Sequence, residues 1–254
     1  MVVAQTESSN GRAISAEQSA ILNAIRQYAV NYTSGLPNYT CIELIRRSTT
    51  ATQRNGATII RPRPQTDVIE EQLSFIGHRE IHKVSRINGA PVANLDPSEL
   101  PGTYSRGEFG NLLDQIFEPA TETSFAWDRT TKLNGHRTNV FAFRVPQARG
   151  YGLVEARRTI IAAYRGFVYA DELSNAVMRI QMHCIDLPTD SDFKSVELTL
   201  DYKPSRVAGQ QFILPSHYLL QARKIDGDLM NEAEYKSYRR FGSDATIEFD
   251  DARR

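Results

Sequence analysis

The decisive stretch runs from Ser124 to Lys224, and its clearest portions are Met178-Arg179-Ile180-Gln181-Met182-His183-Cys184 and Val196-Glu197-Leu198-Thr199-Leu200-Asp201-Tyr202. In both, apolar and polar side chains alternate with period two, the mark of a strand with one dry face and one wet face. Phe125 and Trp127 alternate with Ala126 and Asp128, and Phe141, Phe143 and Val145 alternate with Ala142 and Arg144. Short turn signals separate the runs: Asn134-Gly135, Arg165-Gly166, Ser174-Asn175 and Ala208-Gly209. Connections this short join antiparallel neighbours. The reading is a meander forming a wide antiparallel sheet, and what covers its apolar face decides the function.

Working towards the N-terminus, Ser15 with Gln18 three residues on makes a capping box that opens a helix running to about Thr33. Ile21, Ala24, Ile25, Tyr28, Ala29 and Tyr32 recur on one side of it, and Gly35 and Pro37 end it. A helix with one face to bury directly precedes a sheet with one face to cover. Tyr39 to Ser48 reads as a strand, with Ile42 and Leu44 on one side and Glu43 on the other. Residues 49–66 read as a long exposed loop, Val68 to Ile76 as a strand, Gly77-His78 as a turn into a strand ending near Ile87, and Asn88-Gly89 as a further turn. Residues 92–107 read as irregular. A short amphipathic helix follows, about Glu108 to Phe117, stopped by Pro119, and Phe109, Leu112, Leu113 and Ile116 make it a candidate lid.

Beyond the meander, Pro215 interrupts Gln211 to Lys224 and implies a bulge or an edge. Asn231 to Phe241 and Ala245 to Phe249 read as strands, and Asp250 to Arg254 as a charged tail. Residues 1–14 read as a polar tail and 15–254 as a single mainly β domain.

Composition excludes several classes of function. Thirty basic residues balance thirty acidic ones, so no net field recruits nucleic acid or anionic lipid. Tyr235, Tyr238, Arg239, Arg240 and Phe241 interleave aromatics with charge, but Glu232 and Glu234 sit among them, and an amphipathic strand is the better account. No run approaches the length of a membrane-spanning helix. The two cysteines, Cys41 and Cys184, are too few for a disulfide scaffold, and two separate buried thiols are a simpler reading than a bridge closing so long a loop.

Catalytic motifs are also missing. Neither a nucleophile elbow nor a glycine-rich phosphate cradle occurs, and Gly150-Tyr151-Gly152 reads as a turn. His78-Arg79-Glu80-Ile81-His82 is the one segment that invites a metal, yet on a strand its histidines stand ~13 Å apart. It is read as exposed strand residues. Asp186, Asp190 and Asp192 are read as a solvated loop, since Pro188 intervenes and no bidentate glutamate closes a calcium loop. No metal or other cofactor is expected.

The order of elements is similar to that of the periplasmic lipoprotein-carrier superfamily of the localisation-factor type. Leu36-Pro37-Asn38-Tyr39-Thr40-Cys41, Arg46-Arg47, Gly107-Glu108-Phe109-Gly110, Phe117-Glu118-Pro119, Phe125-Ala126-Trp127 and Leu214-Pro215 also resemble secreted acidobacterial-type proteins. The resemblance implies a half-open β-barrel wrapped around the N-terminal helix, a periplasmic or secreted location with any signal peptide removed, and a non-enzymatic role. The expected ligand is a lipid or acyl chain, held on the concave face by Phe125, Trp127, Phe141, Phe143, Met178, Ile180 and Met182. The same residues would alternate identically in a fully packed core. The alternative is therefore a structural or interaction module that meets an envelope protein partner through its sheet face or edge.

Overall fold

A computed structural model describes residues 14–51, 53–55, 58–60, 64–100, 110–155 and 158–242. The chain opens with helix α1 (Ala16–Val30), where Ser15 Oγ accepts from the Gln18 amide at 3.1 Å and Gln18 Oε1 accepts from the Ser15 amide at 3.0 Å. The helix stops three residues short of the sequence expectation. Asn31 caps it and bends back to donate to the Gln27 carbonyl, and a 3-10 turn, Thr33–Gly35, follows.

Strands β1 (Tyr39–Ala51), β2 (Gln53–Asn55), β3 (Thr58–Ile60), β4 (Gln65–Ile76), β5 (Arg79–Ile87) and β6 (Ala90–Leu95) come next, then a 3-10 turn at Pro97–Glu99. After helix α2 (Asn111–Phe117) come β7 (Ser124–Leu133), β8 (His136–Val145), β9 (Tyr151–Glu155), β10 (Arg158–Asp171), β11 (Val177–Ile185), β12 (Phe193–Val207), β13 (Gln210–Lys224) and β14 (Gly227–Arg240). Twelve of the strands form one antiparallel sheet in the order β6-β5-β4-β1-β14-β13-β12-β11-β10-β8-β7, with β9 on β10 alone, and β2 pairs with β3 apart from it.

Several loop readings give way to strands. Residues 49–66 are largely paired: β1 continues to Ala51 between β14 and β4, and β2 and β3 form their own hairpin. Thr49 and Thr50 are polar but β-branched; β14 pairs with both, and β4 also pairs with Thr49. Ala90 to Leu95 pairs with β5, so the segment read as irregular begins as a strand, and its residues from 101 on lie outside the described residues. Tyr151 and Gly152 begin β9. Arg165-Gly166 is no turn but the middle of β10, where a Cβ on Gly166 would stand 1.8 Å from the Gln181 carbonyl oxygen. That glycine marks the close approach of a neighbouring strand.

Other turn signals hold. Gly77-His78, Asn88-Gly89, Asn134-Gly135 and Ala208-Gly209 all have positive φ at both positions, the geometry of tight hairpins. Pro215 sits at a register shift between β12 and β13, which releases it from donating to the ladder. Both cysteines are buried free thiols. The strand and tail read at 245–254 and the tail at 1–13 lie outside the described residues.

The sheet is curved, and α1 shows it. Arg26 lies over the Phe125 ring of β7 at 5.7 Å, while the Thr33 carbonyl, just beyond the helix, accepts from His78 Nδ1 in the β4–β5 turn at 3.0 Å. Flat strands about 4.8 Å apart would put β4 and β7 roughly 38 Å from each other across eight steps of the order above. Seven helical residues rise only about 10 Å. The sheet therefore curls around the helix as a half-open barrel, and Tyr32 completes the seating by donating to the Ile213 carbonyl of β13 at 2.8 Å.

Gly166→Ala is expected to destabilise the protein by about 1–3 kcal/mol through overpacking against β11. A thermal melt checks it: Ala at a genuine surface turn would leave the midpoint within a degree or two.

Candidate binding site

One face of the sheet is buried along most of its width, and the two helices sit on it. From α1 come Leu22, Ile25 and Ala29, with Tyr32 just after it, and from α2 Leu112, Leu113, Ile116 and Phe117. Phe141, Phe143, Ile180 and Met182 belong to the same continuous apolar cluster, and Phe125 and Trp127 pack half-buried at its border. Phe117 stacks on Phe125 with centroids 5.3 Å apart, and Trp127 meets Phe141 edge-on at 5.1 Å. Tyr164 of β10 donates to the Gln115 carbonyl of α2 at 3.1 Å. Burial pushes that phenol above its ordinary range, so it stays a donor at any physiological pH.

The wall residues named from the sequence are thus brought together, Met178 differing from the rest. It is buried but lies opposite a register shift between Tyr169 and Ala170, and Val177 takes the place in the cluster that strict alternation gives to Met178. A bulge inserts one residue and flips the phase beyond it. The lid residues Leu112, Leu113 and Ile116 face the wall, and Phe109 lies outside the described residues. The interior between helices and wall is filled by these side chains. The exposed large apolar residues, Ile42, Ile81, Val154, Ile161, Leu173, Ile225 and Phe241, are spread over separate strands and turns.

The other end of the inner face is polar, which sequence reasoning missed. Glu43 and Glu71 face each other across β1 and β4, at 5 % and 2 % exposure, and His82 of β5 joins them at 7 %. His82 is therefore not an exposed strand residue. Its Nδ1 stands 3.2 Å from Glu71 Oε2 and 3.4 Å from Glu43 Oε2, and its Nε2 is 3.3 Å from Glu80 Oε2. Burial alone would hold the imidazole neutral, but the carboxylates around it outweigh that and push it up to about 12. Burial pushes Glu43 up as well, with Glu71 beside it adding to the effect.

A signal for this cluster was present. Cys41-Glu43-Ile45, Ile69-Glu71-Leu73 and Glu80-His82-Val84 each carry an ionisable side chain in the buried phase of a strand. In β1 the buried phase is that of Glu43, while Ile42 faces outward. His78 belongs to the exposed turn. Asp186 and Asp190 pair with Arg144 and Arg158 at the surface, and Tyr235 is buried.

No family model matches the sequence, and no curated protein matches it. Solved structures are similar. A LolA superfamily protein from Nitrosomonas europaea is 9% identical with a TM-score of 0.42, covering 87% of this chain and 93% of that one. A DUF1329 family protein from Desulfovibrio piger is 9% identical at 0.36, covering 89% and 94%. The lipoprotein LppX of Mycobacterium tuberculosis is 11% identical at 0.30, covering 87% and 95%. The superfamily of the first is the one that the order of elements in the sequence resembles. At these scores the likeness bears on neither ligand nor activity.

Replacing His82 by Gln leaves three carboxylates facing one another without their cation. A loss of about 3–5 kcal/mol is expected at pH 8. Between about pH 6 and pH 4 the deficit shrinks, because the variant's carboxylates, raised in the folded state, take up protons there and its stability rises, whereas wild-type His82 adds nothing more once the unfolded histidine is protonated too. Urea melts of both proteins at pH 8 and pH 4 measure it. A deficit independent of pH would contradict the charge argument.

Proposed function

We propose that this protein is a non-enzymatic binding protein of the periplasm or the secreted space, which holds a lipid or acyl chain against the inner wall of its sheet. The observation behind the reading is the nature of the cover. Helix α2 has seven residues, packs beside α1, and buries four apolar side chains in the cluster that also holds Phe141, Phe143, Ile180 and Met182, with Phe125 and Trp127 at its border. It lies on the sheet through side chains, a ring stack and the Tyr164 bond, and it shares no backbone ladder with any strand.

The magnitudes suit exchange of helix for ligand. Four buried apolar side chains are worth roughly 6–12 kcal/mol together, at about 1.5–3 each. An acyl chain recovers about 0.8 kcal/mol per buried methylene, so about 8–15 methylenes replace what the helix gives up. Binding then needs no covalent chemistry: α2 swings away, the chain takes its place, and return of the helix expels it. Met178 is assigned to the far border of this wall and Phe109 to the segment that leads into the lid.

Trp127 is the sole tryptophan and lies in the wall, so it reports occupancy directly. Titration with a naturally fluorescent polyene fatty acid is expected to give saturable energy transfer from Trp127 at micromolar concentration. Tyr164→Phe removes about 1 kcal/mol from the closed state and should raise the association rate about 5-fold. Absence of transfer in both proteins would refute carriage.

A further inference from the structure

The buried cluster of Glu43, Glu71 and His82 has no part in holding an acyl chain, and its geometry carries a separate meaning. We propose that these three side chains bind one divalent transition-metal ion, zinc in the first instance, with Glu80 orienting the histidine from behind. The site does not rest on the carrier reading.

Four observations converge on it. The first is spacing. One ligand atom from each residue lies within 4.8 Å of the others, and His82 Nδ1 is 3.2 and 3.4 Å from the two carboxylate oxygens. Ligands about 2.0–2.1 Å from zinc at the corners of a tetrahedron stand roughly 3.3–3.4 Å apart, so the two edges from His82 already match, and the two carboxylates, within 4.8 Å of each other, need only close on the ion. The second is the orienting partner. His82 Nε2 lies 3.3 Å from Glu80 Oε2, and a metal-bound imidazole ordinarily gives its other N–H to a carboxylate in this way.

The third is an unmet acceptor. Nδ1 carries at most one proton, Glu71 Oε2 is within hydrogen-bond reach of it, and Glu43 Oε2 is buried with no hydrogen-bond partner. A buried carboxyl oxygen without a partner is costly in the interior, whereas a cation between the two carboxyl groups satisfies both. The fourth is room for one more ligand. A cavity of about 20 Å³ borders Glu43 and Glu71, lined also by Arg47, Asn231 and Tyr218, which is space for a single water beside the two carboxylates.

The donor set narrows the ion. Two carboxylates and an imidazole suit zinc and its first-row neighbours. Calcium takes six to eight oxygens, which this cluster does not supply. Because the ligands come from β1, β4 and β5, a bound ion would tie three neighbouring strands across their ladders.

The test uses the full chain, stripped with chelator and dialysed against zinc chloride, with bound metal counted by mass spectrometry and stability followed by thermal melting. About one zinc per chain is expected, together with a rise in melting temperature. Glu43→Gln and Glu71→Gln keep side-chain shape and should weaken zinc binding at least 10-fold, while His78→Asn, in the exposed turn, should leave it unchanged. Should a Gln variant misfold by circular dichroism, cobalt(II) added to the wild-type protein decides instead. Intense visible bands of a four-coordinate site support the proposal, and a pale six-coordinate spectrum overturns it. Substoichiometric zinc, or Gln variants that bind zinc as tightly as wild type, would also overturn it and leave a proton-sharing ion cluster.

Discussion

A sheet this wide with one apolar face has more surface to hide than two short helices can cover if it lies flat. Curling solves the mismatch: the strands bend around α1 until Phe125 at one end and the β4–β5 turn at the other both reach the same few turns of helix. The tight two-residue hairpins with positive φ, the glycine that lets β10 and β11 approach, and the register shifts along the sheet all serve that bend. Closure is incomplete, because β6 and β7 end the sheet without pairing to each other.

The inner face is divided by chemistry. From β7 to β13 it is aromatic and aliphatic, and the helices lie there. At β1, β4 and β5, whose Tyr39, Cys41, Leu73 and Phe75 still belong to the apolar cluster, it also carries a buried ionic group, a histidine held by three carboxylates. The two halves have opposite requirements. The apolar half gains by exchanging one greasy cover for another, whereas the ionic half gains only from a fixed cation, proton or metal, and resists rearrangement. Such a division suits a molecule whose cover moves at one end while its strands stay registered at the other.

Much of this was legible in the residues. Alternation in β7, β8, β11 and β12, the Ser15–Gln18 capping box and the Asn-Gly turns point to the sheet, the helix and most of the residues that share the apolar cluster. Three kinds of physical fact stayed hidden. Glycine in Arg165-Gly166 serves turns and close strand approaches alike, and only the neighbour tells which. A bulge near Tyr169 shifts the phase, so Val177 and not Met178 joins the cluster. Glu43, Glu71 and His82 come from three strands that pair only in the fold, and each alone looks like an ordinary polar strand residue. The long segment after Ser48 shows the same limit, since threonines read as loop or strand according to whether a partner lies beside them.

The claim that binds the account together is that α2 is a removable cover on a sheet that is itself firm. Hydrogen–deuterium exchange of the free protein, read residue by residue, tests it most directly. The account predicts that amides of Asn111–Phe117 exchange orders of magnitude faster than those of β10 to β13, through a local opening that leaves the strands protected. Equal protection of α2 and the central strands, exchanging together only on global unfolding, would contradict it.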